Sequence, residues 1–155
     1  YQDKYQSNNF DIVLAFCDTD RNPHDDFNQI RKKINGIFGI DNAADEVIIF
    51  VNPCSMQVEL LHFENIKLRT QNKNKNAPEI ERLTGIQNYK AKEEQRKVMC
   101  NLITKENYEQ MKKNLLSLPT DYKIESSTNF GIFLKRFEDS KANWIDEINK
   151  KLGDY

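Results

Sequence analysis

The sequence predicts an α/β fold in which a small parallel sheet is flanked by helices and followed by a helical C-terminal half. Two apolar runs, at 12–17 and 46–51, have the length and the aliphatic and aromatic content of strands. Between them lies a segment with apolar residues every three or four positions, and helical spacing dominates again from about residue 91 onward. A strand–helix–strand unit of this length predicts parallel strands joined by a right-handed crossover.

The length and composition indicate one globular domain. The chain has 155 residues, which suits a single domain covering 1–155, and no apolar run approaches the ~20 residues of a membrane span. Its 23 basic and 24 acidic side chains give a formal charge of −1, which argues against an indiscriminate nucleic-acid coat. Cys17, Cys54 and Cys100 are far apart without a C-x-x-C motif, so we predict buried free thiols in a reducing compartment. We therefore expect a cytoplasmic protein.

The first strand is predicted at 12–17 and ends in two carboxylates, Asp18 and Asp20. A buried strand of an α/β sheet delivers such groups to the carboxyl edge, where these folds bind ligands. On extended chain the two acids point to the same side, and a divalent cation such as Mg²⁺ or Mn²⁺ relieves their repulsion. The alternative is a polar strand end that begins a turn at Asn22-Pro23, since Asp-x-Asp alone is a weak signal.

The second strand, at 46–51, is followed by Asn52-Pro53, which predicts a helix with Asn52 as N-cap and Pro53 at its first position. The amino end of this helix would lie at the same sheet edge as Asp18, where free N–H groups attract phosphate. Glu59 and His62, three residues apart, share one helix face. His62 has a second interpretation, a buried histidine bonded to a neighbour such as Glu59.

A basic stretch extends over 67–97, and its Asn/Lys run at 72–76 predicts an exposed loop. The favoured interpretation is a solvated surface; the other is contact with phosphates, through Lys67 and Arg69 among others.

Helices are predicted for most of the remaining chain. The first, at 91–103, would bury Val98, Met99 and Leu102, and the second begins at Thr104 and ends before Pro119. A short edge strand is predicted at 121–125. Two further helices would follow, one capped by Ser127 or Thr128 and a last one capped by Ser140.

The strand ending in Asp-x-Asp, followed by NPCSMQVELLHF at 52–63, resembles the RloB-like branch of the Toprim-related proteins. Seven residues agree with the second motif of that family in identity and spacing: Asn52, Pro53, Cys54, Leu60, Leu61, His62 and Phe63. The resemblance covers about residues 11–66, and the helical remainder only in outline.

This resemblance implies a Toprim-like fold in which acidic residues hold Mg²⁺ or Mn²⁺ for cleavage of phosphodiester bonds. Many such proteins act in bacterial defence, phage defence included, or in mobile-element loci, often beside an ATPase partner. Carried over by position, Asp18 and Asp20 are metal ligands, and His62 joins them among the candidate catalytic residues. Asn52 is carried over as the other polar residue of the second motif, and with Lys67 and Arg69 of the basic stretch it makes up the candidate phosphate-binding residues.

The sequence also departs from this family. Ser55-Met56 stands where the family has Phe-Glu, and Val58 where it has Trp, so Glu59 is the candidate replacement for the missing carboxylate. The Glu-bearing strand that precedes Asp-x-Asp in the family is not found in the ten residues before Asp11, so we expect a domain without its N-terminal strand or an incomplete site.

Two functional hypotheses follow. The leading one is a Mg²⁺-dependent nuclease domain acting on nucleic acid; the other is a non-catalytic Toprim-like scaffold that binds an ATPase or another protein. A haloacid-dehalogenase-like phosphatase is less favoured, because Asn22 stands where that motif has Thr or Val. A Rossmann dinucleotide site is less favoured still, because no Gly-rich turn follows either strand.

Overall fold

The computed structural model describes residues 11–19, 23–64, 73–140 and 143–153. Within these ranges it has a mixed α/β architecture of eight helices and three strands, with a helical C-terminal half, so the predicted fold class is confirmed at this level. The elements in chain order are β1 (Ala15–Asp18), α1 (Pro23–Phe38), α2 (Ala43–Val47), β2 (Ile48–Asn52), α3 (Met56–Leu61), α4 (Lys73–Thr84), α5 (Glu93–Leu102), α6 (Lys105–Ser117), β3 (Ser127–Thr128), α7 (Phe130–Ser140) and α8 (Trp144–Leu152). Among the described helices, none is long and apolar enough to cross a membrane.

The sheet has the strand order β1-β2-β3. β1 and β2 are parallel, as predicted, with Asp18 opposite Val51. β3 pairs antiparallel with β2 and places Thr128 opposite Val51. The predicted strand at 121–125 is wrong: the Asp121 carboxylate accepts a hydrogen bond from the Lys123 N–H, which closes a turn instead.

Helices cover both faces of the sheet. On one face, α1, α2 and α8 form an apolar cluster with β2, to which Ala15 and Cys17 of β1 contribute. On the other face, Leu61 of α3 packs with Met111 and Leu115 of α6, and α7 joins them. Gly131 lets α7 approach α6 closely, since a Cβ atom at this position would lie 3.1 Å from the Leu115 carbonyl carbon. A third cluster joins α3 to α4 and α5.

The two parallel strands differ in burial. Every residue of β2 is buried, whereas β1 alternates between half-buried and exposed side chains. The prediction of a buried first strand is therefore wrong for Phe16, which is 50% exposed. The reason is position, since among the described strands β1 lies at one edge of the sheet. The second strand begins at Ile48 because residues 43–47 form α2.

Asparagine side chains fasten several elements by binding main-chain groups. Asn129 spans β2, accepting from the Phe50 N–H at 2.9 Å and donating to the Ile48 carbonyl at 2.8 Å. Asn114 of α6 donates to the carbonyl of Leu61 at the end of α3. These contacts stabilise the sheet edge and the α3–α6 packing without regular strand pairing.

The predictions for the helical part of the chain can be compared with the structure. The exposed loop predicted at 72–76 is wrong from residue 73 onward, because α4 begins there and buries Asn76 and Ile80, four residues apart, on one face. The Thr104 cap is confirmed by its hydrogen bond from the Asn107 N–H. In α5, Met99 is buried as predicted, but Val98 and Leu102 are exposed. The last helix begins after Asn143, not after Ser140, because α7 extends to Ser140.

Candidate metal and phosphate site

Asp18 is the last residue of β1, and its side chain is exposed at the carboxyl edge of the sheet. Its Oδ1 atom accepts a hydrogen bond from the Ser55 N–H at 2.9 Å, directly before α3. The Thr19 N–H donates to the Val51 carbonyl at 3.1 Å, which extends the pairing of β1 with β2 past Asp18. The predicted proximity of Asp18 to the start of this helix is therefore confirmed. Asp20 lies outside the described residues.

The helix after β2 starts later than predicted. α3 begins at Met56, so Asn52 and Pro53 precede it. Asn52 is the last residue of β2, and its Nδ2 atom donates to the carbonyls of Tyr122 at 2.8 Å and Ile124 at 2.9 Å. Its amide therefore fastens the 122–124 turn to the sheet instead of capping a helix. The Ser55 N–H donates to the Asp18 carboxylate, so at this helix start a carboxylate takes the place that we predicted for phosphate.

Glu59 binds partners on the α5 side of the molecule. Its Oε2 atom accepts from the Tyr89 hydroxyl at 2.5 Å, and its Oε1 atom accepts from Arg96 Nε at 3.2 Å. Burial of the ring, followed by the hydrogen bond and charge of Glu59, raises the pKa of Tyr89. In this arrangement Glu59 joins α3 to α5.

His62 follows the last residue of α3 and is half-buried. Its Nδ1 atom lies 2.8 Å from the Val58 carbonyl oxygen, one helical turn earlier. The carbonyl of His62 itself accepts from Asn107 Nδ2 at 3.1 Å. This geometry agrees with a histidine bonded to a neighbour, although the partner is the Val58 carbonyl and not Glu59.

Of the basic stretch at 67–97, Lys67 and Arg69 lie outside the described residues. Three of its described cations form ion pairs: Arg82 with Glu64 at 2.8 Å, Arg96 with Glu59 at 3.2 Å, and Lys97 with Glu93 at 2.8 Å. Such exposed, paired charges are typical of a solvated surface, which is the favoured interpretation.

The three cysteines are free thiols, as predicted, but Cys100 is exposed and Cys17 and Cys54 are only half-buried. Burial raises the pKa of the Cys17 thiol, and the neighbouring Asp18 charge acts in the same direction. Cys17 therefore remains protonated near neutral pH.

Two features of β1 and α3 were not predicted from the sequence. Gln57 is fully buried in α3, and neither atom of its amide has a hydrogen-bond partner in the described part of the chain. Phe16, two residues before Asp18, is exposed and meets the Phe130 ring edge-on. The sequence signal for Phe16 was strand alternation: in β1 it shares the side of Asp18, and Cys17 the opposite side.

Of the two metal ligands predicted from the sequence, Asp18 lies within the described residues. Asp18 is an exposed carboxylate, and Mg²⁺ is commonly held by one or two carboxylates together with water and substrate phosphate oxygens. Across 11–19, 23–64, 73–140 and 143–153, no three His, Cys, Asp or Glu side chains gather into a metal-binding group. Asp18 is thus an exposed carboxylate that could serve as one such ligand, whereas Glu59 forms its contacts with Tyr89 and Arg96.

The chain matches no protein-family model, no curated protein and no solved structure. The resemblance to the RloB-like proteins therefore stays a prediction from the residues of the two motifs, at 11–21 and 52–63.

Proposed function

We propose that this chain is a Toprim-like domain of the RloB-like kind, which binds Mg²⁺ or Mn²⁺ through Asp18 and Asp20 and cleaves phosphodiester bonds. The observation that supports this proposal is the hydrogen bond from the Ser55 N–H to Asp18 Oδ1. It joins the ends of two motifs that lie far apart in the chain, at the sheet edge where α/β folds bind their ligands.

When bound, the cation would activate a water molecule and stabilise negative charge that develops on the phosphate. The fold of the chain positions the Asp18 carboxylate for this role. Ser55 orients Asp18 through a backbone N–H, and the exposure of Asp18 leaves the sheet edge open to a phosphate group. By the same resemblance, we place the domain in a bacterial defence or mobile-element system with an ATPase partner.

The proposal is tested by calorimetry of Mg²⁺ and Mn²⁺ binding to the wild type and to Asp18→Asn and Asp20→Asn. Asparagine keeps an oxygen that can accept from the Ser55 N–H, so Asp18→Asn removes charge with little effect on the fold. Asp41→Asn changes an exposed acid in the turn after α1 and is the matched control. Binding that is lost in the first two variants and retained in the control supports the proposal. A folded wild type that binds neither ion at millimolar concentration overturns it.

The second candidate is a non-catalytic scaffold that binds an ATPase or another protein. Two observations favour it: Met56, at the position of the family's glutamate, is only 3% exposed, and Glu59 is engaged by Tyr89 and Arg96. A wild type that binds no metal but forms a stable complex with an ATPase partner in analytical ultracentrifugation would establish the scaffold.

A further inference from the structure

An exposed aromatic ring lies beside the proposed metal ligand. Phe16 is 50% exposed, although it belongs to a strand of the central sheet. Its ring meets that of Phe130 edge-on, with centroids 5.9 Å apart and an interplanar angle of 86°. This T-shaped contact holds the Phe16 ring against Phe130 of α7, and half of the Phe16 residue remains exposed to solvent.

Phe16 and Asp18 lie on the same side of β1. Side chains alternate along a strand, so residues two apart share a side and are separated by roughly 6.6 Å along the strand axis. The contacts agree, because Phe16 meets Phe130 of α7 and Asp18 meets Ser55 before α3, and α3 and α7 share one apolar cluster. The Phe16 ring is therefore no further from the Asp18 carboxylate than about the length of one nucleotide.

We infer that Phe16 is a stacking platform for a nucleobase, and that the substrate of the proposed phosphodiester chemistry is single-stranded nucleic acid. The inference rests on the proposed function, since Asp18 locates the phosphate. A base in a duplex has both faces covered by its neighbours, whereas a base in a single strand has a face to offer an aromatic ring. Stacking would also supply affinity that does not depend on net positive charge, in a chain of formal charge −1 in which Arg82, Arg96 and Lys97 are paired with acids.

The experiment measures fluorescence anisotropy of short fluorescein-labelled strands with the full chain, in EDTA and again with Ca²⁺. Single-stranded DNA, single-stranded RNA and duplex DNA form three arms. We expect one or both single strands to bind more tightly than the duplex. Phe16→Ala should weaken that binding roughly 5- to 150-fold, the loss of one stacked base.

Two further variants separate stacking from general apolar contact. Phe16→Leu keeps apolar surface without a π face and should weaken binding like Phe16→Ala, whereas Phe16→Trp should retain it, with its added fluorescence quenched by the strand. Val98→Ala removes apolar surface from an exposed residue of α5 and is the control. Retained affinity in Phe16→Leu, equal affinity for duplex and single strand, or no binding of any strand overturns the inference.

Failure here is distinguishable from failure of the proposed function. Phe16 is no metal ligand, so Phe16→Leu should bind Mg²⁺ as the wild type does. Wild-type metal binding without Phe16-dependent strand binding overturns the stacking inference alone, and absence of metal binding in the wild type overturns the proposed function.

Discussion

The Asp18 carboxylate and the Ser55 backbone N–H are joined by a 2.9 Å hydrogen bond, although 37 residues separate them in the chain. A carboxylate that accepts a backbone N–H at the start of a helix forms a charge-assisted bond, one of the stronger kinds in proteins. The bond ties the end of β1 to the turn between β2 and α3. It therefore contributes to stability as well as to the proposed site.

Replacement of Asp18 tests this double role. Asp18→Ala should lower the free energy of unfolding by about 1 kcal/mol, because the Ser55 N–H loses its acceptor. Asp18→Asn keeps an acceptor and should lose clearly less. Urea denaturation followed by circular dichroism measures both, with Asp41→Ala as the exposed control. Equal losses in Asp18→Ala and Asp18→Asn would show that charge, and not the hydrogen bond, stabilises the turn.

Gly131 and Gly36 form a matched pair of helical glycines. A Cβ atom at Gly131 would lie 3.1 Å from the Leu115 carbonyl carbon and 3.2 Å from the Leu116 nitrogen, both of them backbone atoms that cannot turn aside. Gly131→Ala should therefore destabilise the protein by about 1–3 kcal/mol. Gly36 has no atom within 4 Å of such a Cβ, so Gly36→Ala should stabilise by about 0.5–1 kcal/mol. Thermal unfolding checks the two signs, and stabilisation by Gly131→Ala would refute the close α6–α7 approach.

Tyr89 should make stability fall at alkaline pH. Burial, with a contribution from Glu59, raises its pKa in the folded chain above the unfolded value of about 10. The folded state therefore holds this proton more tightly, so the associated stability is complete below about pH 10 and is lost as pH rises through the raised value.

Denaturation at pH 8 to 11 measures this loss, and Tyr89→Phe should reduce the slope. Tyr108→Phe, at an exposed residue of α6, is the control and should leave the slope unchanged. An unaltered slope in Tyr89→Phe would mean that another group titrates.

The stability of the protein should depend on the hydrogen-bonding groups of the Asn52 side chain rather than on its size. Asn52→Asp places an acceptor opposite the carbonyls of Tyr122 and Ile124, where the wild type has a donor. We expect a loss of about 2–3 kcal/mol in urea denaturation, since buried polar groups lose their partners. Asn101→Asp makes the same change at an exposed position of α5 and should cost little. A small loss of stability in Asn52→Asp would contradict this expectation. The Asn52 amide would then be available for the phosphate-binding role predicted from the sequence.

Local patterns predicted those parts of the fold that local chemistry determines. The parallel pairing of β1 and β2 follows from the connection between them, and the start of α6 follows from the Thr104 cap. The strand at Ser127–Thr128 could not be predicted, because a segment of two residues is too short to show the alternating hydrophobic pattern of a strand. It is held by distant contacts, such as the Thr128 hydroxyl donating to the Phe50 carbonyl at 2.6 Å.

The candidate site was predictable to a similar extent. The position of Asp18 at the end of the first predicted strand placed it at the carboxyl edge of the sheet beside the second motif, as the structure has it. The partners of Glu59 were not predictable, because Tyr89 and Arg96 are 30 and 37 residues away in the chain. No short-range pattern distinguishes a carboxylate that binds a metal from one that joins two helices.

The asparagine contacts described above constrain how this sequence can diverge. Asn52, Asn114 and Asn129 bind carbonyl oxygens or N–H groups of the main chain, which every residue except proline supplies in full. Only one member of each contact is therefore fixed in identity. The residues at 48, 61, 122 and 124 can therefore be substituted without loss of the hydrogen bonds that their carbonyls accept. Homologous chains can retain these asparagine contacts while the surrounding sequence changes.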